Sequence, residues 1–272
     1  MTSMTLTQKL TYGLSFKNSY AWKLQLIHLV GYLSIPYFIT NAPWYLLLVP
    51  FIVGYINTTS IVLYFHRYLS HKLFEFKSQI FEYIFLFITT TALVSSSITW
   101  VSIHRKHHQF VDEEQDPHRC LNITDAIRVH FLSYWILPKL SNVRDLYHSK
   151  LHRFTVDHYF KIQLVYGGLL FLIDPLICIA FYLLPGLICY WTLNGVNTLS
   201  HSTGYRNFEC ADTSTNNLFI GYISGGEWHN NHHANPRSCN FGFKWWEFDP
   251  GYHIIKLIGK NIINEKADLS RV

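Results

Sequence analysis

The sequence predicts an all-α integral membrane protein with four transmembrane helices in two hairpins and a cytoplasmic helical cap that carries a histidine-rich site. Three observations lead to this fold class. Charged residues make up only 14% of the 272 residues, whereas soluble domains contain about 25%. Charge is missing from two long stretches of the chain in particular. Finally, the 16 histidines nearly equal the 17 acidic residues in number.

Two uncharged stretches predict the hairpins. Residues 24–66 contain no Asp, Glu, Lys or Arg, and residues 162–205 contain only Asp174. A helix rises about 1.5 Å per residue and one membrane crossing takes about 20 residues, so each stretch is about two crossings long. Turn residues divide them, Asn41-Ala42-Pro43 in the first and Pro185-Gly186 in the second. We therefore predict transmembrane helices at about 24–40, 44–65, 162–184 and 187–201.

The basic residues predict the orientation. All 22 Lys and Arg residues lie in 1–23, 67–161 and 206–272. Cytoplasmic loops carry an excess of Lys and Arg, so both termini and the middle segment are predicted to be cytoplasmic. We expect a cytoplasmic N-terminal segment, 1–23, and a single membrane domain, 24–272, with cytoplasmic parts at 66–161 and 202–272. The membrane would be the inner membrane of a bacterium or the endoplasmic reticulum of a eukaryotic cell.

Four groups of polar residues stand at the ends of these stretches and in the polar segments. They are His66 with His71, His104 with His107 and His108, Asn197 with His201, and His229 with His232 and His233. Residues i, i+3 and i+4 share one helix face, so each HxxHH helix is predicted to present three imidazoles to one point. His66 and His71 are about 140° apart on an ideal helix and converge only if the helix unwinds. Nine neutral imidazoles exceed the four ligands of structural zinc and fit a site for two metal ions.

A third uncharged stretch, 83–103, is predicted not to cross the membrane. It contains seven Ser and Thr residues between Thr89 and Thr99. If it crossed, the histidines before and after it would lie on opposite sides and could not share a site. We expect a helix that dips into or lies along the membrane interface, with its Ser and Thr side facing protein or a cavity.

At the histidine groups the sequence resembles the membrane-bound fatty acid desaturases, and among them the acyl-CoA (delta-9, stearoyl-CoA-like) branch. The matching strings run from His66 to Lys72, from His104 to His118, from Gly225 to Pro236 and from Trp245 to Asp249. The resemblance extends over about residues 24–260.

The resemblance implies a dinuclear iron centre. Its ligands would be the nine histidines His66, His71, His104, His107, His108, His201, His229, His232 and His233. It further implies that Asn197 binds one iron through a water molecule and that Trp100 lines the bend of an acyl tunnel. Asp112, Asp116 and His118 match positions expected to orient the ligands by hydrogen bonds.

The resemblance also implies the reaction, an O2-dependent oxidation that leaves a cis double bond in a saturated fatty acyl chain. An unactivated methylene is neither acidic nor electrophilic, so its oxidation needs an oxidant made from O2 at a metal. The reacting carbons offer no polar group for recognition, so the length of the tunnel would select them. We predict that Trp100 and the Ser/Thr-rich face of 83–99 help to line this tunnel.

Several partners are expected. Because 272 residues leave no room for a fused cytochrome b5 domain, electrons would come from a separate carrier (cytochrome b5, ferredoxin or similar) with its reductase. The acyl group would be carried by CoA, by acyl carrier protein or by an intact lipid. The net charge of +5 suits the anionic face of a membrane, and no motif indicates nucleic-acid binding.

Two alternatives stay open at this point. A hydroxylase or an acetylenase could use the same scaffold, and analysis of the product would separate them from a desaturase. A membrane metal transporter belongs to a different class. Transporters place their ligands near the bilayer midplane, whereas the groups described here lie at helix ends and in polar segments.

Overall fold

The computed structural model describes residues 19–132 and 140–265, and this part of the chain is mostly helical. The predicted N-terminal segment, 1–23, lies largely outside it. The helices are α1 (Ser19–Asn41), α2 (Leu46–Ser70), α3 (Gln79–Thr91), α4 (Ser97–Gln109), α5 (Ile123–Leu132), α6 (Arg144–Tyr147), α7 (Lys150–Asp157), α8 (Tyr159–Ile173), α9 (Pro175–Leu199), α10 (Leu218–Ile223), α11 (His229–Ala234) and α12 (Pro250–Ile258). Two short strands, β1 (Glu75–Phe76) and β2 (Gly259–Lys260), pair antiparallel.

Among the described residues, two helices are long and apolar enough to cross a membrane. These are α2 and α9, which have 25 residues each and a mean hydropathy of 2.0. Helix α1 has 23 residues, and α8 is apolar but has only 15. Both present apolar side chains outward, for example Leu33 on α1 (70% exposed) and Leu172 on α8 (82% exposed). These faces and the two long apolar helices indicate that the protein associates with a membrane.

The chain forms two helices where the first transmembrane pair is predicted, and the turn between them lies where the sequence placed it. Helix α1 ends at Asn41, and α2 begins at Leu46 after the turn that contains Pro43. Both helices extend beyond the predicted bounds, because α1 begins by Ser19 and α2 continues to Ser70.

The predicted turn at Pro185-Gly186 is wrong. The chain turns at Asp174, whose side chain accepts the Leu176 N–H (2.6 Å) and caps the start of α9. The helices are therefore 159–173 and 175–199 instead of 162–184 and 187–201. Pro185 remains inside α9 because a π-helical turn, Ile179–Leu183, precedes it and widens the helix where a proline would otherwise clash. Gly186 serves close packing, since a Cβ there would lie 2.7 Å from Leu93.

The third uncharged stretch forms two helices rather than one. It breaks between α3 and α4, where Leu93 adopts a left-handed conformation (φ 57°). Helix α4 then starts after Ser96, whose hydroxyl accepts the Thr99 N–H. The seven Ser and Thr residues from Thr89 to Thr99 are all buried, so the prediction that they face the protein is confirmed.

The largest apolar cluster surrounds the last turns of α2. Tyr64 and Phe65 are fully buried there and pack in one cluster with Trp228 and other apolar side chains from distant segments. Burying such side chains contributes roughly 1.5–3 kcal/mol each. The end of α2 is therefore held firmly, which matters because it carries two of the predicted ligands.

A buried ion pair joins this end of α2 to the start of α12. The Arg67 side chain is fully buried and donates to the Asp249 carboxylate (2.8 Å). Its guanidinium carbon lies 3.9 Å from the centre of the Phe241 ring. Asp249 also accepts the Tyr252 N–H (2.9 Å) and so caps α12.

The variant Asp249→Asn should destabilise the protein by about 3–5 kcal/mol, because it leaves the Arg67 charge buried without a counter-charge. The matched control is Asp145→Asn, which breaks the more exposed contacts of Asp145 with Lys72 (2.9 Å) and Arg105 (2.8 Å). Exposed pairs contribute about 0–1 kcal/mol. Thermal unfolding of both variants in the same detergent measures the difference. Equal shifts in the unfolding midpoint would contradict this account.

Candidate metal centre

The structure brings all nine predicted histidines together in two adjacent groups. The five-histidine group consists of His66, His71, His104, His108 and His232, and the four-histidine group of His107, His201, His229 and His233. Within each group the possible ligand nitrogens all lie within 4.8 Å of one another. Six of the nine side chains are buried and three are half-buried.

A π-helix brings His66 and His71 together. The last turns of α2, Val62–Ser70, are π-helical, and the His71 N–H donates to the His66 carbonyl (3.1 Å) five residues back. Residue i+5 thus lies nearly above residue i, and the two ring centres are 4.9 Å apart. The expectation that the helix unwinds here is confirmed, because a π-helix turns through fewer degrees per residue than an α-helix and still keeps its hydrogen bonds.

The two HxxHH helices each contribute to both groups. Helix α4 supplies His104 and His108 to the five-histidine group and His107 to the four-histidine group. Helix α11 divides the other way, with His232 in the first group and His229 and His233 in the second. The shared face of each HxxHH helix predicted that its three imidazoles meet at one point. This prediction is wrong, because the three rings divide between the two groups. Adjacent residues point about 100° apart around a helix and reach two neighbouring centres.

The inner nitrogens of both groups fit a metal ion. Pairs of Nε2 atoms approach closely, at 3.0 Å between His66 and His232 and 2.9 Å between His201 and His229. The Nε2 atoms of His107 and His233 are buried and have no hydrogen-bond partner among the described residues. Unpaired buried nitrogens are costly, and imidazole nitrogen is a good ligand for iron, copper, zinc and nickel. The donor set therefore suits metal binding.

Carboxylates contact the outer nitrogens of five of these rings. The Nδ1 distances are 2.9 Å for His107 to Asp116, 3.0 Å for His233 to Asp212, 3.4 Å for His201 to Asp112, 2.9 Å for His66 to Glu227 and 3.5 Å for His229 to Glu227. The hydrogen bond of the His201 Nδ1 goes to the Thr213 hydroxyl (3.1 Å), and Asp112 lies beside it. An Nδ1–H that donates to a carboxylate leaves the Nε2 lone pair directed inward, which is the tautomer that binds metal.

Two of these four carboxylates were not anticipated from the sequence. Asp112 and Asp116 were anticipated, because they lie in the matching string that ends at His118. Glu227 lies inside another matching string, two residues before His229, and this position was its only signal. Asp212 lies in a long loop with no spacing that relates it to His233, so only the folded chain reveals it.

The protonation states of the histidines and carboxylates around the site depend on their burial and on these contacts. Burial lowers the pKa of His118 to about 3 and that of His233 to about 4, so both rings are neutral at neutral pH. Burial alone would raise the pKa of Asp116, but the charge and hydrogen bond of His107 outweigh it and lower this pKa to about 2. Burial raises the pKa of Glu227 to about 8, against the lowering effect of Arg67. A cation bound nearby would favour the ionised form of Glu227.

A narrow cavity of about 50 Å³ lies beside the five-histidine group. Trp100 lines it and stacks on His104, with ring centres 4.8 Å apart and planes 17° apart. Among the described residues of 83–99, only Val94 lines this cavity. The Ser and Thr hydroxyls of this stretch do not line this cavity, and that of Thr89 donates to a backbone carbonyl of its own helix. Their contribution to an acyl tunnel stays a prediction.

Asn197 and His118 also line this cavity. The Asn197 side chain donates to the Leu193 carbonyl (3.1 Å), and its predicted contact with metal through water remains a prediction. The His118 ring lies 5.5 Å from that of His107 but belongs to neither histidine group. Its backbone N–H donates to Asp116 (2.8 Å), so it helps to hold the carboxylate that contacts His107.

A second cavity of about 830 Å³ lies on the other face of α9, between α5 and α10. His201, Thr213, Trp191 and Phe219 are among the residues that line it, and its walls are mainly apolar. It therefore approaches the four-histidine group, whereas the narrow cavity approaches the five-histidine group.

The comparisons with known proteins agree with this site. The family model for fatty acid desaturases matches residues 42–258. The chain belongs to the fatty acid desaturase family. It is therefore an oxidoreductase that acts on fatty acyl chains, and in this family the two histidine groups support an iron site.

Curated desaturases from plants and a cyanobacterium are similar over most of the chain. An acyl-CoA 5-desaturase of Anemone leveillei is 34% identical over 83% of this chain and 72% of its own length. A delta-9 acyl-lipid desaturase of Arabidopsis thaliana is 30% identical over 85% of this chain and 76% of its own length. An sn-1 stearoyl-lipid 9-desaturase of Synechocystis sp. is 31% identical over 85% of this chain and 74% of its own length.

In this desaturase, Glu227→Gln should weaken metal binding by about 10–100-fold, the usual effect of losing a partner of a metal-binding histidine. The amide nitrogen cannot accept from Nδ1–H, so one of the contacts to His66 and His229 is lost. Metal retained per chain after dialysis against graded chelator measures the change. Glu113→Gln, an exposed glutamate in the loop after α4, is the matched control. If both variants retain the same metal, Glu227 does not support the ligands.

Proposed function

We propose that the protein is a membrane-bound di-iron desaturase that uses O2 to introduce a cis double bond into a saturated fatty acyl chain. The observation that carries this proposal is the pair of adjacent histidine groups, with five and four imidazoles. Nine nitrogen ligands in two groups suit two metal ions. When bound there, two irons supply the O2-derived oxidant that an unactivated methylene requires.

The residues of this chain would hold and orient the reactants. The nine histidines would be the ligands. Asp116, Asp212 and Glu227 would keep the rings that they contact in the metal-binding tautomer, and Thr213 with Asp112 would do so for His201. Asn197 would hold a water molecule against one metal. Trp100 and Val94 would position the acyl chain beside the five-histidine group. The small volume of this cavity implies that an entering chain displaces the side chains around it.

We further propose that α1, α2, α8 and α9 cross the membrane as two hairpins within a single domain, with the metal centre and both termini in the cytoplasm. Each of these helices contains at most one Lys or Arg, and Lys23, Arg67 and Lys161 all lie near helix ends. This scarcity of charge and the exposed apolar faces of α1 and α8 support the arrangement. His66, His71 and His201 lie at or just beyond the ends of α2 and α9, and the other six histidines, on α4 and α11, meet them there.

The substrate carrier is proposed from the motifs and the relatives together. The matching strings favour acyl-CoA and the delta-9 position, and the relatives include both acyl-CoA and acyl-lipid desaturases. Electrons would come from a separate carrier, cytochrome b5 or ferredoxin with its reductase. These choices differ in the substrate and the carrier added to an assay, so one set of reactions tests them.

The test is turnover by protein purified without oxygen and analysed for iron. We expect about two irons per chain, and monounsaturated product only when O2 and a reduced carrier are both present. Stearoyl-CoA, stearoyl-acyl carrier protein and saturated lipid are compared, and mass spectrometry locates the double bond. His232→Ala is the control for loss of the metal centre. Hydroxylated or acetylenic product would indicate a hydroxylase or an acetylenase, and metal flux without substrate oxidation would indicate a transporter.

Trp100→Ala should change the preferred chain length or the double-bond position, because it enlarges the cavity beside His104. Trp100→Phe retains an aromatic ring and should shift the product less. The matched control is Trp191→Ala, which enlarges the second cavity instead. Iron content is measured in each variant, since Trp100 stacks on a predicted ligand. A product shift with Trp191→Ala but not with Trp100→Ala would place the acyl chain in the second cavity.

A further inference from the structure

The two histidine groups have very different charged surroundings. In the four-histidine group every Nδ1 atom faces a carboxylate: Asp116 for His107, Asp112 for His201, Asp212 for His233 and Glu227 for His229. In the five-histidine group only His66 has such a partner, and that partner is the same Glu227. The four-histidine group thus has three carboxylates of its own, and the five-histidine group has none.

The three aspartates are held in place by backbone donors. Asp116 accepts the N–H groups of Asp112 (2.9 Å) and His118 (2.8 Å). Asp112 accepts the Thr213 N–H (2.6 Å), and Asp212 accepts the Ser214 N–H (2.9 Å). Each of these side chains only accepts hydrogen bonds, as an ionised carboxylate does, and the backbone donors fix its position. The rings that they contact therefore lose little freedom when a metal binds.

The other group lacks this support. Among the described residues, no carboxylate oxygen lies within 4.0 Å of a ring nitrogen of His71, His104, His108 or His232. The Nδ1 atom of His232 is buried without a hydrogen-bond partner in the described part of the chain. Its Nε2 atom instead approaches those of His66 (3.0 Å) and His108 (2.9 Å).

We propose that the four-histidine group binds its metal ion more tightly than the five-histidine group and is filled first. This inference rests on the proposed di-iron function. A carboxylate on Nδ1–H raises the basicity of Nε2 and offsets part of the cation's charge, and each such partner changes metal affinity about 10–100-fold. Asp116 and Asp212 accept directly from Nδ1, whereas the Nδ1 of His201 bonds to the Thr213 hydroxyl (3.1 Å) with Asp112 beside it (3.4 Å). The two direct partners therefore change the affinity at least about a hundredfold if they act independently. The fifth imidazole of the other group adds one neutral ligand to a site that already has four.

Titration of metal-free protein in detergent with Co2+ tests the order of filling, because its visible absorption differs between ligand environments. Wild-type protein should bind two equivalents in two resolved steps. His233→Ala should lose the tighter step, and His104→Ala the weaker one. Two steps of equal affinity, or loss of the weaker step in His233→Ala, would overturn the inference.

The cause is tested by Asp212→Asn and Asp116→Asn. The amide oxygen still accepts from Nδ1–H, so these variants remove the charge and keep the shape. Each should weaken the tighter step about 10–100-fold and leave the weaker step unchanged. Asp145→Asn is the matched control, since Asp145 contacts Lys72 and Arg105 but none of the nine histidines. If either aspartate variant weakens the weaker step instead, the inference fails.

Two further observations keep the test clear. Thermal unfolding of each metal-free variant identifies any variant that does not fold. If one of the two aspartate variants does not fold, the other one still tests the inference. Fewer than two Co2+ ions per wild-type chain would overturn the proposed di-iron function and this inference together. Two ions of equal affinity would overturn only the inference.

Discussion

Nine imidazoles lie side by side in the interior, and each neutral ring has one nitrogen that donates and one that accepts. In a region with little water both need a partner, or their burial is costly. Here inner nitrogens converge, and five outer nitrogens meet carboxylates. Much of the fold serves this arrangement, from the π-helical end of α2 to the loop that brings Asp212 beside His233.

Regular features of the site could be predicted from the sequence because they depend on local geometry. The HxxHH spacing is a property of any helix, and both α4 and α11 are helical where they carry it. Uncharged runs of more than forty residues likewise revealed the first pair of long helices. Asp116 was found through its place in a string that also contains His104, although nothing in its spacing predicts a contact with His107.

The features that sequence reasoning missed depend on contacts between distant segments. Pro185-Gly186 has the composition of a turn, yet Gly186 is small because Leu93 packs against it. The convergence of His66 and His71 depends on a π-helix, and the buried contacts around Phe65 and Arg67 favour that helix although no local pattern signals it. Asp212 is linked to His233 only by the fold of a loop.

The division of each HxxHH helix between two groups makes the spacing of the groups a property of helix geometry. His107 and His108 are consecutive residues with ring centres 5.4 Å apart, and His232 and His233 are consecutive with centres 5.6 Å apart. Each of these pairs bridges the two groups, one from each side. The separation of the groups therefore cannot change unless one helix rewinds, and unfolding of either helix would remove ligands from both groups at once. The two histidine groups therefore form one rigid centre, and the helical backbone sets the distance between them.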